Sequence, residues 1–179
     1  NPAVSDLEIL PEYNLEPEIY NFKILEALKQ KIRMKTDIRQ GIHLKINTGM
    51  NRLGFSEDDI DRLTDTLKNI KNIKIRSVFS HLAAADEPEH DDFTRRQIAR
   101  FNRISKKITA AFPYKILRHI ANSSGTERFP EARFDMVRLG IGLYGFSANN
   151  QDKLRNVSSF VSHISQIRQV KADETVGYS

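Results

Sequence analysis

Two cations stand close together where an apolar run gives way to a loop. In His43-Leu44-Lys45-Ile46-Asn47-Thr48-Gly49-Met50-Asn51-Arg52-Leu53-Gly54-Phe55, Lys45 lies near the end of the run and Arg52 in the glycine-bounded segment beyond it. Cations gathered at a strand end suit an anionic ligand, and the same pattern also fits a lysine turned to solvent and an arginine in a turn. The segment Phe79-Ser80-His81-Leu82-Ala83-Ala84-Ala85-Asp86 ends another β-like run on His81, whose titration near neutral pH suits a structural or a catalytic place. Asp86 reads equally well as an ordinary helix cap. Arg118-His119-Ile120-Ala121-Asn122-Ser123-Ser124-Gly125 runs from a strand into small polar residues. Such a turn offers backbone N–H groups to a phosphate at a helix N-terminus, or simply caps that helix. In Phe134-Asp135-Met136-Val137-Arg138-Leu139-Gly140-Ile141-Gly142-Leu143-Tyr144-Gly145 the glycines permit close approach of a phosphate, and the alternative is a buried strand with a glycine turn.

The elements that must position these groups follow from the hydrophobic pattern, which switches between short β-like runs and longer helical ones, as in βα units around a parallel sheet. Strands are predicted at Glu18–Tyr20, Ile42–Asn47, Ile75–His81, Lys115–Ile120 and Phe134–Leu139. Helices are predicted over Phe22–Met34, with Ile24, Leu25, Leu28 and Ile32 on one face, and over Ser56–Ile70, with Ile60, Leu63, Leu67 and Ile70. Ser56 followed by Glu57, Asp58 and Asp59 predicts a helix start near residue 57. A third helix is predicted over Asp91–Ala111, ending before Pro113. Beyond a polar linker at 149–156 the pattern turns towards alternation, with Val157, Phe160, Val161, Ile164, Ile167 and Val170 among polar residues, which predicts a new β-rich region. The fold class expected is α/β: a partial TIM-type (β/α)8 barrel of about the last five βα units over 1–148, then the first strands of a β-rich C-terminal domain over 157–179. In such barrels chemistry gathers at the carboxyl ends of the strands, where the candidate residues above fall.

Composition narrows the function classes. The 179 residues are 39% hydrophobic and 28% charged, ordinary globular usage. Lys plus Arg number 28 against 23 Asp plus Glu, but the basic residues are interleaved with acids and carry no aromatic-basic signature, so no nucleic-acid partner is expected. No apolar run approaches the roughly 18–20 residues of a membrane span, and no leader pattern appears. The absence of cysteine excludes disulfides and thiolate metal sites and suits a cytoplasmic protein; no metal is called for. Five βα units where a closed barrel needs eight, an Asn at position 1 and a terminal strand-like Thr175–Ser179 lead to the expectation of an internal fragment, inactive alone.

The run from Lys45 to Gly54 resembles the Lys-x-Asp-Thr-Gly-Met-x-Arg-Leu-Gly signature of the pyridoxal-phosphate-dependent alanine racemases, with Asn47 in place of the Asp. The His81 segment is similar to that family's Thr-His-Phe-Ala-x-Ala-Asp, and the Arg138 segment to its Met-Val-Arg-x-Gly-Ile-x-x-Tyr-Gly. Matches in this order over nearly the whole chain imply a cofactor-binding barrel that holds pyridoxal 5'-phosphate. By the resemblance, Lys45 is carbamylated and orients Arg52, and Arg52 meets the cofactor's phenolic oxygen and the substrate carboxylate. Only a neutral amine attacks carbon dioxide, so that modification calls for a buried Lys45. His81 sits beside the cofactor ring, Asp86 lies along the substrate corridor, and Asn122 and Ser123 serve the phosphate. Arg138 bonds the pyridine nitrogen, and Gly140 and Ile141 present amides to the phosphate.

The resemblance further implies racemisation of L- and D-alanine for peptidoglycan synthesis, an amino-acid substrate and a homodimer. The family's Schiff-base Lys is expected upstream of Asn1 and its catalytic Tyr beyond Ser179, so Tyr178 is not that Tyr. Related racemases of serine, lysine or another amino acid share the framework, as does a non-catalytic homologue that binds the cofactor alone. The flanking sequence discriminates among these. A single-domain cofactor-binding protein of similar barrel fits less well, given the β-like pattern after Asn156.

Overall fold

The computed structural model describes residues 2–10, 12–33 and 39–177. Strands β1 (Glu18–Ile19), β2 (Gln40–Lys45), β3 (Ile73–Phe79) and β4 (Leu117–His119) form one parallel sheet in the order β1-β2-β3-β4. Helices α1 (Phe22–Arg33), α2 (Ile60–Lys68) and α3 (Asp91–Ala110) connect them in turn, and α4 (Ser123–Arg128) follows β4. Strands laid down in consecutive order by crossovers of one hand keep their helices on one face, which is how a barrel wall differs from a doubly wound sheet. The predicted stripes, Leu25 and Leu28, Ile60 and Leu63, are buried with Phe101 and Ile104 of α3 and with Ile42, Leu44, Ile75 and Val78 of the sheet in a single core. No described helix is long and apolar enough to cross a membrane.

Alternation along a strand sends successive side chains to opposite faces. With Leu44 and Val78 in the core, His43, Lys45, Ser77 and Phe79 fall on the other face, away from the helices. The register slips between Ile42 and His43: Ile42 pairs with Ile75, but His43 pairs with Ser77. Arg76 is therefore the extra residue of a β-bulge, a feature that re-aims side chains near functional sites. Its guanidinium Nε lies 2.7 Å from Glu16 Oε1.

The structure corrects the sequence-based expectations in two places, at residues 134–139 and at the start of α2. Residues 134–139 are not a strand. Phe134 takes a left-handed φ of 37°, and the backbone N–H of Arg118 is donated to the Asp135 carboxylate at 2.9 Å rather than to a ladder carbonyl. The segment still runs beside β4, with the Asp135 and Arg138 amides donating to the carbonyls of Arg118 and Ala121 at 3.0 Å each. Helix α2 begins at Ile60, not near 57, because Ser56–Asp59 forms a tight turn: the Asp59 carboxylate accepts from both the amide and the hydroxyl of Ser56, at 2.8 and 2.6 Å. From Leu154 to Lys171 the chain forms neither helix nor strand, and it is exposed from Arg155 on, so the alternating apolar residues there have no sheet partner among the described residues. Met34, Tyr178 and Ser179 of the predicted elements lie outside the described residues.

Candidate active site

The strand ends are level. Lys45 pairs in register with Phe79, and Phe79 with His119. One step back on the same face, Glu18 pairs with His43 and His43 with Ser77. Lys45 is only 9% exposed; its Nζ lies 2.8 Å from Glu18 Oε1 and 5.5 Å from the Phe79 ring centre. A lysine so placed is turned to the site, not to solvent.

The loop carrying Arg52 is fastened to the end of β2 by its own backbone. The Asn47 amide donates to the Phe55 carbonyl and the Phe55 amide to the Lys45 carbonyl, at 2.9 Å each. Gly54, at φ 119°, lies so close to the strand that a Cβ there would stand 2.7 Å from the Asn47 nitrogen. Asn47 Oδ1 accepts from the amides of Gly49 and Asn51 at 3.1 Å each, and its Nδ2 donates to Asn51 Oδ1 at 2.9 Å. An Asp would supply the first two bonds, so the turn needs the acceptor oxygen rather than the charge. Ser80 ties the loop to β3: its hydroxyl donates to the Ile46 carbonyl at 2.7 Å and meets Thr48 Oγ1 at 2.8 Å. Arg52 itself is exposed at the mouth, and no ion pair among the described residues engages it.

Arg138 is the most heavily tethered cation. Its Nη2 donates to the Ser80 carbonyl at 2.6 Å and lies 3.3 Å from His81 Nδ1, and its Nη1 donates to His119 Nδ1. Guanidinium cannot accept a hydrogen bond, and this fixes the tautomer of His119. With Nδ1 accepting, the ring proton sits on Nε2 and is donated to Ser77 Oγ at 3.1 Å. The Ser77 hydroxyl proton is then free for His43 Nδ1 at 2.7 Å, and His43 Nε2 faces Glu16 Oε2 at 3.2 Å. Arg138 thus ends a hydrogen-bonded line that crosses β4, β3 and β2 to a carboxylate. Phe79 stacks on the His119 ring with centroids 5.1 Å apart and completes its enclosure. Burial, then the nearby Arg138 and His43, press the His119 pKa down to about 3, against a weaker upward pull from Asp135. His81 is lowered too, by burial first and then by Arg138, Arg52 and Lys45. Burial also weighs against the charge on Arg138, and Glu18 opposes that effect.

On the far side of Arg138, Asn122 caps α4 by accepting from the Gly125 amide at 2.8 Å. The buried Ser123 hydroxyl accepts from the amides of Gly140 and Gly142 at 2.9 and 3.1 Å. A Cβ on Gly142 would come within 3.2 Å of Ser123 Oγ, so glycine keeps these amides clear. Asp86 is exposed and lines this part of the site; the cap positions before α3 and the short helix Pro88–His90 fall on His90 and Glu87, so the cap reading of Asp86 does not hold.

Two cavities hold the groups. One, of about 430 Å³, is lined by Glu16, Glu18, His43, Lys45, Arg52 and Phe79 among others; the second, of about 410 Å³, by Asp86, Asn122, Ser123, Gly140 and Ile141 among others. They share His81 and Arg138. All the sequence-predicted site residues therefore fall in one continuous place. A further cavity of about 380 Å³ at the opposite ends of the strands is lined, among the described residues, by Lys29, Ile32 and Asn69–Asn72, with neither acid nor histidine among them. The residues that sequence reasoning passed over are Glu16, Glu18, His43, Ser77, Phe79, His119 and Met136. The signal for several was the period-2 spacing: His43 stands two before Lys45, and Ser77 two before Phe79.

The chain spans about half the length of the curated relatives it matches. Alanine racemase from Carboxydothermus hydrogenoformans is 35% identical over 97% of this chain and 48% of its own length. Among solved structures, alanine racemase from Clostridium difficile 630 superposes with a TM-score of 0.76 at 24% identity, covering 87% of this chain and 41% of that one, which bears on the fold alone. Alanine racemase from Bartonella henselae with covalently bound pyridoxal phosphate has a TM-score of 0.66 at 25% identity, over 79% of this chain and 39% of that one. The alanine racemase N-terminal domain matches residues 2–148, nearly all of the βα framework that carries the paired cavities, and the chain belongs to that family.

Proposed function

We propose that the full protein is a pyridoxal-phosphate-dependent alanine racemase, an isomerase that interconverts L- and D-alanine in the cytoplasm and supplies D-alanine for peptidoglycan. The observation that carries this reading is the pair of cavities joined at His81 and Arg138. One is rich in cations; the other is ringed by a serine and glycine amides. A flat ring with a phosphate tail has that division of needs, and the Bartonella henselae alanine racemase holds pyridoxal phosphate covalently.

The residues fit the group. The Gly140 and Gly142 amides, now donated to Ser123 Oγ, and the Ser123 hydroxyl are donors for phosphate oxygens, with Asn122 holding the turn and the Ile141 amide beside them. Arg138 would donate a hydrogen bond to the pyridine nitrogen without transferring a proton to it. When bound, the cofactor supplies an electron sink that acidifies the α-carbon proton of an amino acid joined to it. A guanidinium partner keeps that sink weak, which favours return of a proton over longer-lived side chemistry. Arg52, exposed at the mouth and without an ion pair among the described residues, takes the substrate carboxylate. His81 walls the ring, and Asp86 flanks the way in. The groups that remove and return the proton are, by family resemblance, a Lys of an earlier barrel strand and a Tyr of the partner subunit in a homodimer.

The test is to express the uninterrupted reading frame around these residues with pyridoxal phosphate and assay L- to D-alanine conversion beside serine and lysine. Preferred alanine turnover is expected. Turnover of another amino acid only would move the substrate assignment, and bound cofactor without racemisation would make the protein a binding homologue.

A further inference from the structure

The mouth of the site contains a carboxylate in the one place where it meets the candidate modified lysine. Glu18 projects from β1 and its Oε1 lies 2.8 Å from Lys45 Nζ, with side chains 21% and 11% exposed. We infer that Glu18 is the resident anion of this site and that Lys45 works as an unmodified ammonium, not as a carbamate. This rests on the cofactor-site reading above, and it departs from what the signature implies for Lys45.

Three arguments from the geometry support it. Carbamylation forms a bond between Nζ and the carbon of carbon dioxide and releases a proton, so it needs the nitrogen lone pair free; here Nζ is a donor to Glu18. The product would be an anion set against the Glu18 carboxylate, turning an attractive contact into a repulsive one at the same distance. The balance of the cavity would also invert. Its lining has three cationic side chains, Lys45, Arg52 and Arg138, against two carboxylates, Glu16 and Glu18. A carbamate at Lys45 would leave two cations against three anions, in a cavity proposed to take a substrate carboxylate. Glu16 cannot relieve this, because it is engaged by Arg76 and His43. An anion that neighbours the cations is thus supplied by the sequence itself and needs no carbon dioxide. Glu18 is a positioning residue: it acts on the substrate through Lys45 and the cations beside it.

The measurement is carbon-13 NMR of the full-length holoprotein in 13C-bicarbonate, which requires bound cofactor but no turnover. The expected result is no lysyl carbamate resonance in the wild type, with alanine KM unchanged in buffer stripped of carbon dioxide. In Glu18→Ala a carbamate resonance should appear and vanish in the Glu18→Ala/Lys45→Arg double variant, and KM should rise about tenfold without bicarbonate and recover with it. Glu18→Gln, which preserves volume, should raise KM even if it gains no carbamate. A wild-type carbamate resonance abolished by Lys45→Arg would overturn the inference, and so would a KM indifferent to both Glu18 variants. If the holoprotein racemised nothing, the functional reading would fail while the wild-type spectrum still decided the state of Lys45.

Discussion

Ser77 is a small residue with a large share in the arrangement of the site, because its hydroxyl is the joint between two imidazoles. It accepts from His119 Nε2 and donates towards His43 Nδ1. Ser77→Ala leaves the buried His119 nitrogen and the half-buried His43 nitrogen without their partner, at a cost of about 1–3 kcal/mol. The His119 tautomer should survive the change, because Arg138 still donates to Nδ1 and keeps the ring proton on Nε2. Nitrogen-15 shifts of the His119 imidazole should report the same single tautomer while the denaturant midpoint falls, and a variant of full stability would show the line to be incidental. His119 makes a second prediction. Its folded pKa, about 3, lies below the value near 6.5 of an unfolded histidine, so its neutral form adds stability that is fully present above pH 6.5 and is lost as pH falls towards 3. Between pH 7 and 5, above the ordinary carboxylate range, this single site should remove about 2 kcal/mol. His81 shifts in the same sense. Urea midpoints across that interval should fall in the wild type and flatten in His119→Gln; equal slopes would mean that the imidazole is solvated in the folded protein.

At the scale of elements, the loop from Asn47 to Phe55 shows what was legible and what was not. Its residues were readable as a signature, and its glycines as a turn, but only the structure shows Gly54 pressed on the strand end. Gly54→Ala must either clash with the Asn47 nitrogen and the Ile46 carbonyl carbon at 2.7 and 2.8 Å or move the loop. A loss of about 1–3 kcal/mol is expected, with KM for the amino acid raised more than kcat is lowered, because the loop carries Arg52. Asn47→Asp, which keeps the acceptor oxygen, should change either quantity little. Parallel measurement of denaturant midpoints and kinetics would check both, and a harmless Gly54→Ala would remove the argument from close approach. Helices were legible because a stripe such as Leu25, Leu28 and Ile32 repeats with the helical period. The segment 134–139 looked like a strand because its pattern is extended, but pattern cannot show a left-handed Phe134 or a side-chain carboxylate capturing a ladder amide. The bulge at Arg76 was equally hidden. It depends on the pairing of two strands, and each strand alone looks regular.

At the scale of the molecule, the described surface is unfinished in one direction. Strands β1 and β4 are two and three residues long and edge a four-stranded sheet. Beside β4 the chain exposes Leu139, Ile141, Leu143, Tyr144 and Phe146, and beyond them Phe160, Ile164 and Ile167 stand almost wholly in solvent. Exposed apolar side chains in this number mark a surface that another piece of protein covers. The 179-residue chain in isolation should therefore bind an apolar fluorescent dye and associate with rising concentration, whereas the full-length protein should stay dye-silent and of one defined size. Light scattering and dye fluorescence on the two forms would decide it. A monodisperse, dye-silent 179-residue chain would mean that the segment after Leu154 folds back over residues 139–146. The two cavities would then be assembled by these residues alone, and cofactor binding by the isolated chain would become the expected outcome.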